Sequence, residues 1–459
     1  MPTQLPSIFL ESLEGLPGFN RTAFEKVHQS GKQLISIRLN PAKFKQISFI
    51  DATVEEAVPW STQGYYLSLR PSFTLDPIFH AGAYYVQEAS SMFLEQVLKQ
   101  TIDLSSPIKV LDLCAAPGGK STLIQSLLGN KSLLVSNEVI KTRVNILVEN
   151  ITKWGAVNVM VTNNDPKDFQ RLESYFDVIV ADAPCSGSGL FRKDAAAIEE
   201  WSLQNVAMCG QRQQRILADV LPALKAGGTL IYSTCSYSET ENEDIADWLV
   251  RENGFVSTKI NVQPSLNVIE TKSPQQNAFG YRFYPDKIKG EGFFIAAFTK
   301  GEKAASEWLT TKYKTKSERL AAKEIEIIKP YLKNAADFFF IKQQEDVIAM
   351  PNHLEIDLAA IQHSLYIKKA GVKLGSIIRN ELIPDHELAL SNIANKSLPF
   401  VEVDRETALQ YLRRKELKID TLLKGWTLLT HQQLPLGWIK LLPNRINNYY
   451  PKDWRILNK

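Results

Sequence analysis

Between residues 108 and 252 the chain repeats a strand, a turn and a helix several times over, and this rhythm restricts it to one broad architecture. Strands are predicted at 108–113, 133–137, 158–162, 176–181 and 229–233. Helices are predicted from the Gly118-Gly119 turn to 128, over 141–154, over 206–225 with a stop at Gly227-Gly228, and over 238–252. A late β-rich run covers 292–299. Strands alternating with helices imply an α/β fold with a mostly parallel sheet covered on both faces.

The flanks read differently. Residues 1–105 mix short amphipathic helices with strand-like pieces at 33–39 and 65–69, an α+β domain ahead of the α/β domain at 106–300. Residues 300–335 are Lys/Glu-rich and helical in pattern, a linker helix opening a middle α/β segment over 301–380. Residues 381–459 end with Trp426, Trp438, Tyr449, Tyr450 and Trp454 among basic residues and turn signals, which suggests a small β-rich module. Its Trp438 and Trp454 can stack on bases, although tryptophan in a small β module usually belongs to the core.

Composition excludes several classes. No apolar run approaches the ~18–20 residues that span a bilayer, and the N-terminus lacks the basic start and apolar stretch of a signal peptide. A cytoplasmic protein without a membrane partner is expected. Four cysteines in 459 residues, none in a CxxC pair, argue against a disulfide framework and against a zinc site; no metal is expected. Residues 301–459 carry 25 Lys and Arg against 19 Asp and Glu, whereas the rest of the chain is slightly acidic. A basic tail suits a polyanionic partner and equally suits a merely soluble domain.

In open parallel sheets, ligands bind at the carboxyl ends of the strands. Asp112 and the turn Cys114-Ala115-Ala116-Pro117-Gly118-Gly119-Lys120 lie at that edge of the first predicted strand. The glycines permit close backbone approach ahead of a helix N-terminus. Neither GxxxxGK[ST] nor GxGxxG is present, so a phosphate-free nucleoside cofactor, S-adenosylmethionine, fits better than NAD(P). Glu138 ends the second strand, where a carboxylate can hold ribose hydroxyls. Asp165 follows the third, where it can accept from an adenine amino group. Singly, each acid reads as an ordinary strand-end or capping residue; three at successive strand ends read as a cofactor site.

The fourth strand runs into Asp182-Ala183-Pro184-Cys185-Ser186-Gly187 and the fifth into Ser233-Thr234-Cys235-Ser236. Neighbouring strands lie ~4.8 Å apart, so both thiols are expected on the cofactor side. A lone free cysteine is commonly a small buried hydrophobe, the reading given to Cys114 as a thiol and to Cys209. A pair suits one hard reaction. C5 of cytosine is too weak a nucleophile to take a methyl group until a thiolate has added to C6, and the adduct must afterwards be resolved by loss of the C5 proton. Asp182 can bond the N3/N4 edge of the base and stabilise the adduct.

These three motifs resemble the signatures of the RNA cytosine-5 methyltransferases, the NOP2/NSUN and RsmB/RsmF group. The resemblance extends to Ser36-Ile37-Arg38-Leu39-Asn40-Pro41, Tyr84-Tyr85-Val86-Gln87-Glu88-Ala89-Ser90-Ser91-Met92 and Gly290-Glu291-Gly292-Phe293-Phe294. The tail, with Gly425-Trp426, Leu436-Gly437-Trp438 and Tyr450-Pro451-Lys452-Asp453-Trp454-Arg455, is similar to the PUA-like ending of RsmF-type bacterial enzymes, which methylate 16S ribosomal RNA. The resemblance implies a Rossmann-like methyltransferase sheet, an N-terminal RNA-recognition domain and a PUA-like RNA-binding module. It makes Cys235 the nucleophile and Cys185 the residue that assists release, with residues 114–120, Glu138, Asp165 and Asp182 at the cofactor. Ser188 departs from the acidic residue many relatives carry there. DNA cytosine-5 enzymes use the Pro-Cys residue instead; an N-methyltransferase would need neither thiol, and an assembly factor would bind RNA without turnover.

A paired base must leave its stack before a thiol can reach it, so basic residues near the site are wanted. Arg192, Lys193 and Arg282 are the candidate RNA contacts, a solvated charged loop being the plain alternative. Ser238 and Glu241 fit a helix capping box, and Glu239 and Glu243 are read as part of the same helix start. The expected assembly is a monomer acting on 16S RNA or the small ribosomal subunit.

Overall fold

The computed structural model describes residues 5–44, 54–301, 313 and 316–457. Its centre is a sheet of ten strands: β1 Lys109–Asp112, β2 Leu133–Asn137, β3 Val159–Thr162, β4 Phe176–Asp182, β5 Leu224–Thr234, β6 Phe255–Thr258, β7 Ile269–Lys272, β8 Phe279–Phe283, β9 Phe293–Lys300 and β10 Ile367–Ala370. The order is β7-β8-β9-β5-β4-β1-β2-β3-β10, with β6 also paired to β9. Strands β1 to β5 are mutually parallel. The rest pair antiparallel, so only half of the sheet has the parallel character expected.

The parallel strands are apolar at nearly every position because both faces are covered. Leu111, Val135, Ile179 and Leu230 point into one core and Val110, Leu134, Val178 and Ile231 into the other. The connecting helices are α1 Gly119–Leu127, α2 Lys141–Trp154, α3 Leu203–Val220 and α4 Glu243–Asn253. Ser202 caps α3 by accepting the Asn205 N–H at 3.1 Å. That helix ends at Val220, short of the glycine pair expected to stop it, because Pro222 supplies no N–H to the next turn. Strand β5 accordingly begins early, at Leu224.

The N-terminal segment forms a four-stranded antiparallel sheet, Val54–Ala57, Gly64–Leu67, Ile35–Leu39 and Tyr84–Val86 in that order. Arg38, 1% exposed, fixes it to the catalytic domain. Its guanidinium donates to Gln87 Oε1 at 2.8 Å, to Thr122 Oγ1 at 2.6 Å and to the Gly119 carbonyl at 3.2 Å.

Past β9, part of the predicted linker helix lies outside the described residues; the described part of 300–335 includes a short strand Glu318–Arg319, a helix Ala322–Ile328 and a single 3-10 turn Lys329–Tyr331. The short strand joins Phe338–Gln343, Asp346–Pro351, Val372–Ile378 and Glu381–Pro384 in a five-stranded sheet, whereas β10, which precedes Val372–Ile378 in the chain, extends the ten-stranded sheet beside β3. A boundary at 380 would cut the hairpin of Val372–Ile378 with Glu381–Pro384. The last sheet, Phe400–Glu402, Gly425–His431, Leu434–Leu442 and Arg445–Asn448, shares a core with the N-terminal domain: Ile37, Leu39, Ile78 and Tyr84 pack with Tyr411, Leu412, Leu436 and Tyr450.

Candidate active site

The carboxyl ends of β1, β2 and β3 bring the predicted cofactor residues to one edge. Gly118 adopts φ 116° ahead of α1, and a Cβ there would meet Leu147 and Asn150 of α2 at 3.3–3.4 Å. Asp112 is fully buried; Oδ2 accepts the Ser121 hydroxyl at 2.6 Å, and burial pushes its carboxyl up to about 7. Its Oδ1 has no partner among the described residues. Glu138 accepts the Ile140 N–H at 2.9 Å and faces Arg143 at 3.5 Å, while Arg143 also donates to the Ala116 carbonyl. Asp165 caps the turn after β3 by accepting the Lys167 N–H at 3.2 Å.

Two contributions here were not read from the sequence. Asn137 ties three strand ends, donating to the Leu113 and Asn164 carbonyls while accepting from Thr162 Oγ1. The N-terminal segment supplies a wall: Tyr85, Gln87, Glu88 and Ser91 face Cys114, Ala115, Ala116, Pro117, Gly119, Lys120 and Asp182 across one cleft. The Tyr84-Tyr85-Val86-Gln87-Glu88 motif was the available signal, but a motif on a separate sheet does not say which cleft it borders. An orphaned buried carboxylate oxygen, a glycine-lined turn and a strand-end Glu fit a nucleoside cofactor with polar ribose and cationic character.

Strands β4 and β5 run in parallel register with Asp182 opposite Ser233, so the segments beyond them leave the sheet side by side. Cys185 Sγ lies 3.1 Å from Cys235 Sγ, and both are free thiols. Bonding to Cys235, burial and the charge of Glu241 together push the Cys185 thiol well above its usual range. Asp182 joins the thiols to the cofactor turn: Oδ2 pairs with Lys120 Nζ at 2.7 Å and Oδ1 accepts Ser233 Oγ at 2.8 Å. Burial works against the Lys120 ammonium, but Asp182, Asp112 and Cys235 carry it above its ordinary value.

Other expectations need correction. Arg282 is 2% exposed, paired with Glu243 and donating to the Tyr237 carbonyl at 2.6 Å. It holds β8 against the start of α4 and presents nothing to RNA. The Arg192 side chain is similarly buried, 3.4 Å from Glu291 and donating to the Lys32 carbonyl, whereas Lys193 is exposed. Glu241 makes no capping box, since α4 begins only at Glu243; it is buried between the two cysteine loops. Trp438 is core, its Nε1 donating to the Asp385 carbonyl at 2.9 Å. Among the described residues no cluster of His, Cys, Asp and Glu could hold a metal ion, and no helix is long and apolar enough to cross a membrane.

Three family models match the chain: 16S rRNA methyltransferase RsmB/F over residues 99–299, the N-terminal domain of 16S rRNA methyltransferase RsmF over 5–89, and the methyltransferase RsmF PUA domain over 399–456. Ribosomal RNA small subunit methyltransferase F of Shewanella piezotolerans is 30% identical, across 91% of this chain and 90% of that protein. Its counterpart in Shewanella woodyi is 30% identical across 98% and 96%. Among solved structures, a methyltransferase homolog protein from Pyrococcus horikoshii is 27% identical with a TM-score of 0.51, covering 64% of this chain and all of that one. NSun6 from Pyrococcus horikoshii, solved with SFG, shares the fold at 21% identity and a TM-score of 0.53, over 65% of this chain and 99% of its own.

Proposed function

The chain belongs to the RsmF family of 16S rRNA methyltransferases, and on that premise we propose that it methylates C5 of cytosine in 16S RNA through a covalent adduct on Cys235. The single observation that carries the reading is the 3.1 Å approach of two free thiols beside the Lys120–Asp182 pair and the cofactor cleft. Residues 114–120, Glu138 and Asp165 would hold S-adenosylmethionine, with Asp182 reaching both the cofactor turn and the base. When bound, the cofactor supplies an electrophilic methyl group.

The chain's own residues then have separate tasks. The Cys235 thiolate adds to C6; the sulfur–carbon bond forms as the C5=C6 electron pair shifts to C5, making it nucleophilic. Asp182, held by Lys120 and Ser233, accepts from the exocyclic amine and fixes the ring. After methylation the C5 proton passes to a water molecule, its electron pair rebuilds the C5=C6 double bond, and Cys235 leaves as thiolate. Cys185 assists this elimination. The N-terminal and PUA domains and the exposed Lys193 are proposed to hold the RNA, whose base must be turned out of its stack.

Cys235→Ala is expected to abolish methyl transfer, and Cys185→Ala to accumulate a covalent RNA–protein species visible by denaturing gel and mass spectrometry. Full activity in the Cys235 variant removes the nucleophile assignment. An adduct mapped to Cys185 in the wild-type protein reverses the roles of the two thiols.

A further inference from the structure

We propose that Glu241 is a positioning residue that sets the separation of the two thiols. Its carboxylate has 0% exposure and lies between the loops that carry them. Oε1 accepts the Ser186 N–H at 2.6 Å; Oε2 accepts the Ser186 hydroxyl at 2.6 Å and the Ser236 hydroxyl at 2.5 Å. Ser186 and Ser236 are the residues that directly follow Cys185 and Cys235. One side chain therefore grips both loops at the same offset from each sulfur.

Its neighbours complete the grip. Tyr232 of β5 donates its hydroxyl to the Glu241 carbonyl at 2.6 Å. Asn242 then brackets Cys235: Oδ1 accepts the Thr234 hydroxyl at 2.6 Å and Nδ2 donates to the Ser236 carbonyl at 2.8 Å. Ser188 Oγ also crosses the gap, accepting the Tyr237 N–H at 3.0 Å, but Glu241 is the side chain that bonds the residue directly after each cysteine. A carboxylate suits the task because it only accepts, and three donors converge on it. Burying such a group is costly unless every donor is supplied, so the loops and the carboxylate fix one another. Reaction through either thiol depends on that fit, since a displacement of about 1 Å costs on the order of 100-fold in rate.

The inference rests on the two-thiol reading, so its test includes a measurement independent of methylation. One thiolate adds to the N=N bond of a diazene oxidant to give a sulfenylhydrazine; the second thiol then displaces the hydrazine and closes a Cys185–Cys235 disulfide, and with saturating diazene the closure rate follows how often the sulfurs meet. In Glu241→Ala, disulfide closure is expected to slow at least roughly tenfold and kcat to fall about 100-fold, while the KM for RNA and cofactor affinity stay within about threefold. Glu241→Gln is expected to recover most of both rates, its amide oxygen taking the Ser186 N–H while its NH₂ donates to the two hydroxyls, which can turn to accept.

Should Glu241→Ala fail to fold, Ser186→Ala and Ser236→Ala each remove one donor and are expected to slow closure and turnover several-fold. Unchanged closure and kcat in Glu241→Ala, or in both serine variants, overturns the proposal. So does a loss of cofactor affinity parallel to the loss of kcat, which signals a general structural role. Full activity in Cys235→Ala would instead overturn the covalent mechanism, while the closure rates would still report on Glu241.

Discussion

Gly189 shows how little slack surrounds the two neighbouring sulfurs. Its N–H donates to the Cys235 carbonyl at 2.8 Å, and a Cβ there would sit 2.4 Å from the Gly292 carbonyl oxygen and 2.7 Å from that of Cys235. Neither neighbour can yield without moving backbone. Gly189→Ala is therefore expected to lower kcat by about 100-fold by pushing aside the segment of Cys235, the proposed nucleophile, with cofactor affinity preserved because the β1–α1 turn is untouched; turnover and calorimetric titration check the two halves. At this scale the sequence was legible where topology dictated the outcome. Cys185 and Cys235 each follow a predicted strand at a similar distance, so pairing those strands brings them together. It was illegible where only burial decides. Lys193 and Arg282 carry the same kind of charge, yet one is exposed and the other closes an internal ion pair with Glu243, and nothing local in the chain separates the two cases.

Elements formed by local pattern were readable nearly to the residue, as β2 and α2 demonstrate: both match their predicted bounds. Elements formed by distant pairing were not. Strand β10 joins β3 from about 200 positions away, and no periodicity announces a partner at that range. The start of α4 was misplaced because a Ser-x-x-Glu spacing imitates a cap wherever it occurs, here across a segment that bridges two loops. The junction between strand Ile35–Leu39 and helix α1 yields a prediction. Arg38 satisfies the Gly119 carbonyl and Thr122 from a fully buried position. Arg38→Met leaves those acceptors and Gln87 without their donor, at a cost on the order of 2–3 kcal/mol. Since α1 begins at the cofactor turn, weaker S-adenosylmethionine binding should accompany the loss; chemical denaturation and calorimetry would record them.

Across the whole molecule, three buried histidines contribute to the response to acid. Burial, the largest cause in each case, lowers His28 and His80 to about 4 and His386 to about 3. Each is a base that binds its proton less readily folded than unfolded. Their contribution is thus intact above the unfolded value of 6.5, is lost as pH falls from there, and levels off below pH 3–4. Asp112 and Glu291, carboxyls held up near 7, act in the opposite sense, so one histidine must be isolated to see the effect. His386 is the best placed: both ring nitrogens lack partners among the described residues, and it packs edge-on against Tyr450 and Trp454, with Lys153, Lys43 and His80 adding repulsion. His386→Phe is expected to leave stability near neutral pH within about 1 kcal/mol and to flatten the fall in melting temperature between pH 6.5 and 4. An unaltered acid slope would show that this ring does not titrate on unfolding.

The core shared by the N-terminal domain and the last sheet also bears on how the protein is made. Ile37 and Leu39 lie near the beginning of the chain, and the Leu412, Leu436 and Tyr450 side chains that bury them lie near its end. At ribosomal speed the interval between them is on the order of tens of seconds. Throughout that time Ile37 and Leu39 lack the partners that complete their core, which leaves part of the first domain's apolar surface open to water. An enzyme that acts on ribosomal RNA then completes the core of its first domain only once its last sheet has been made.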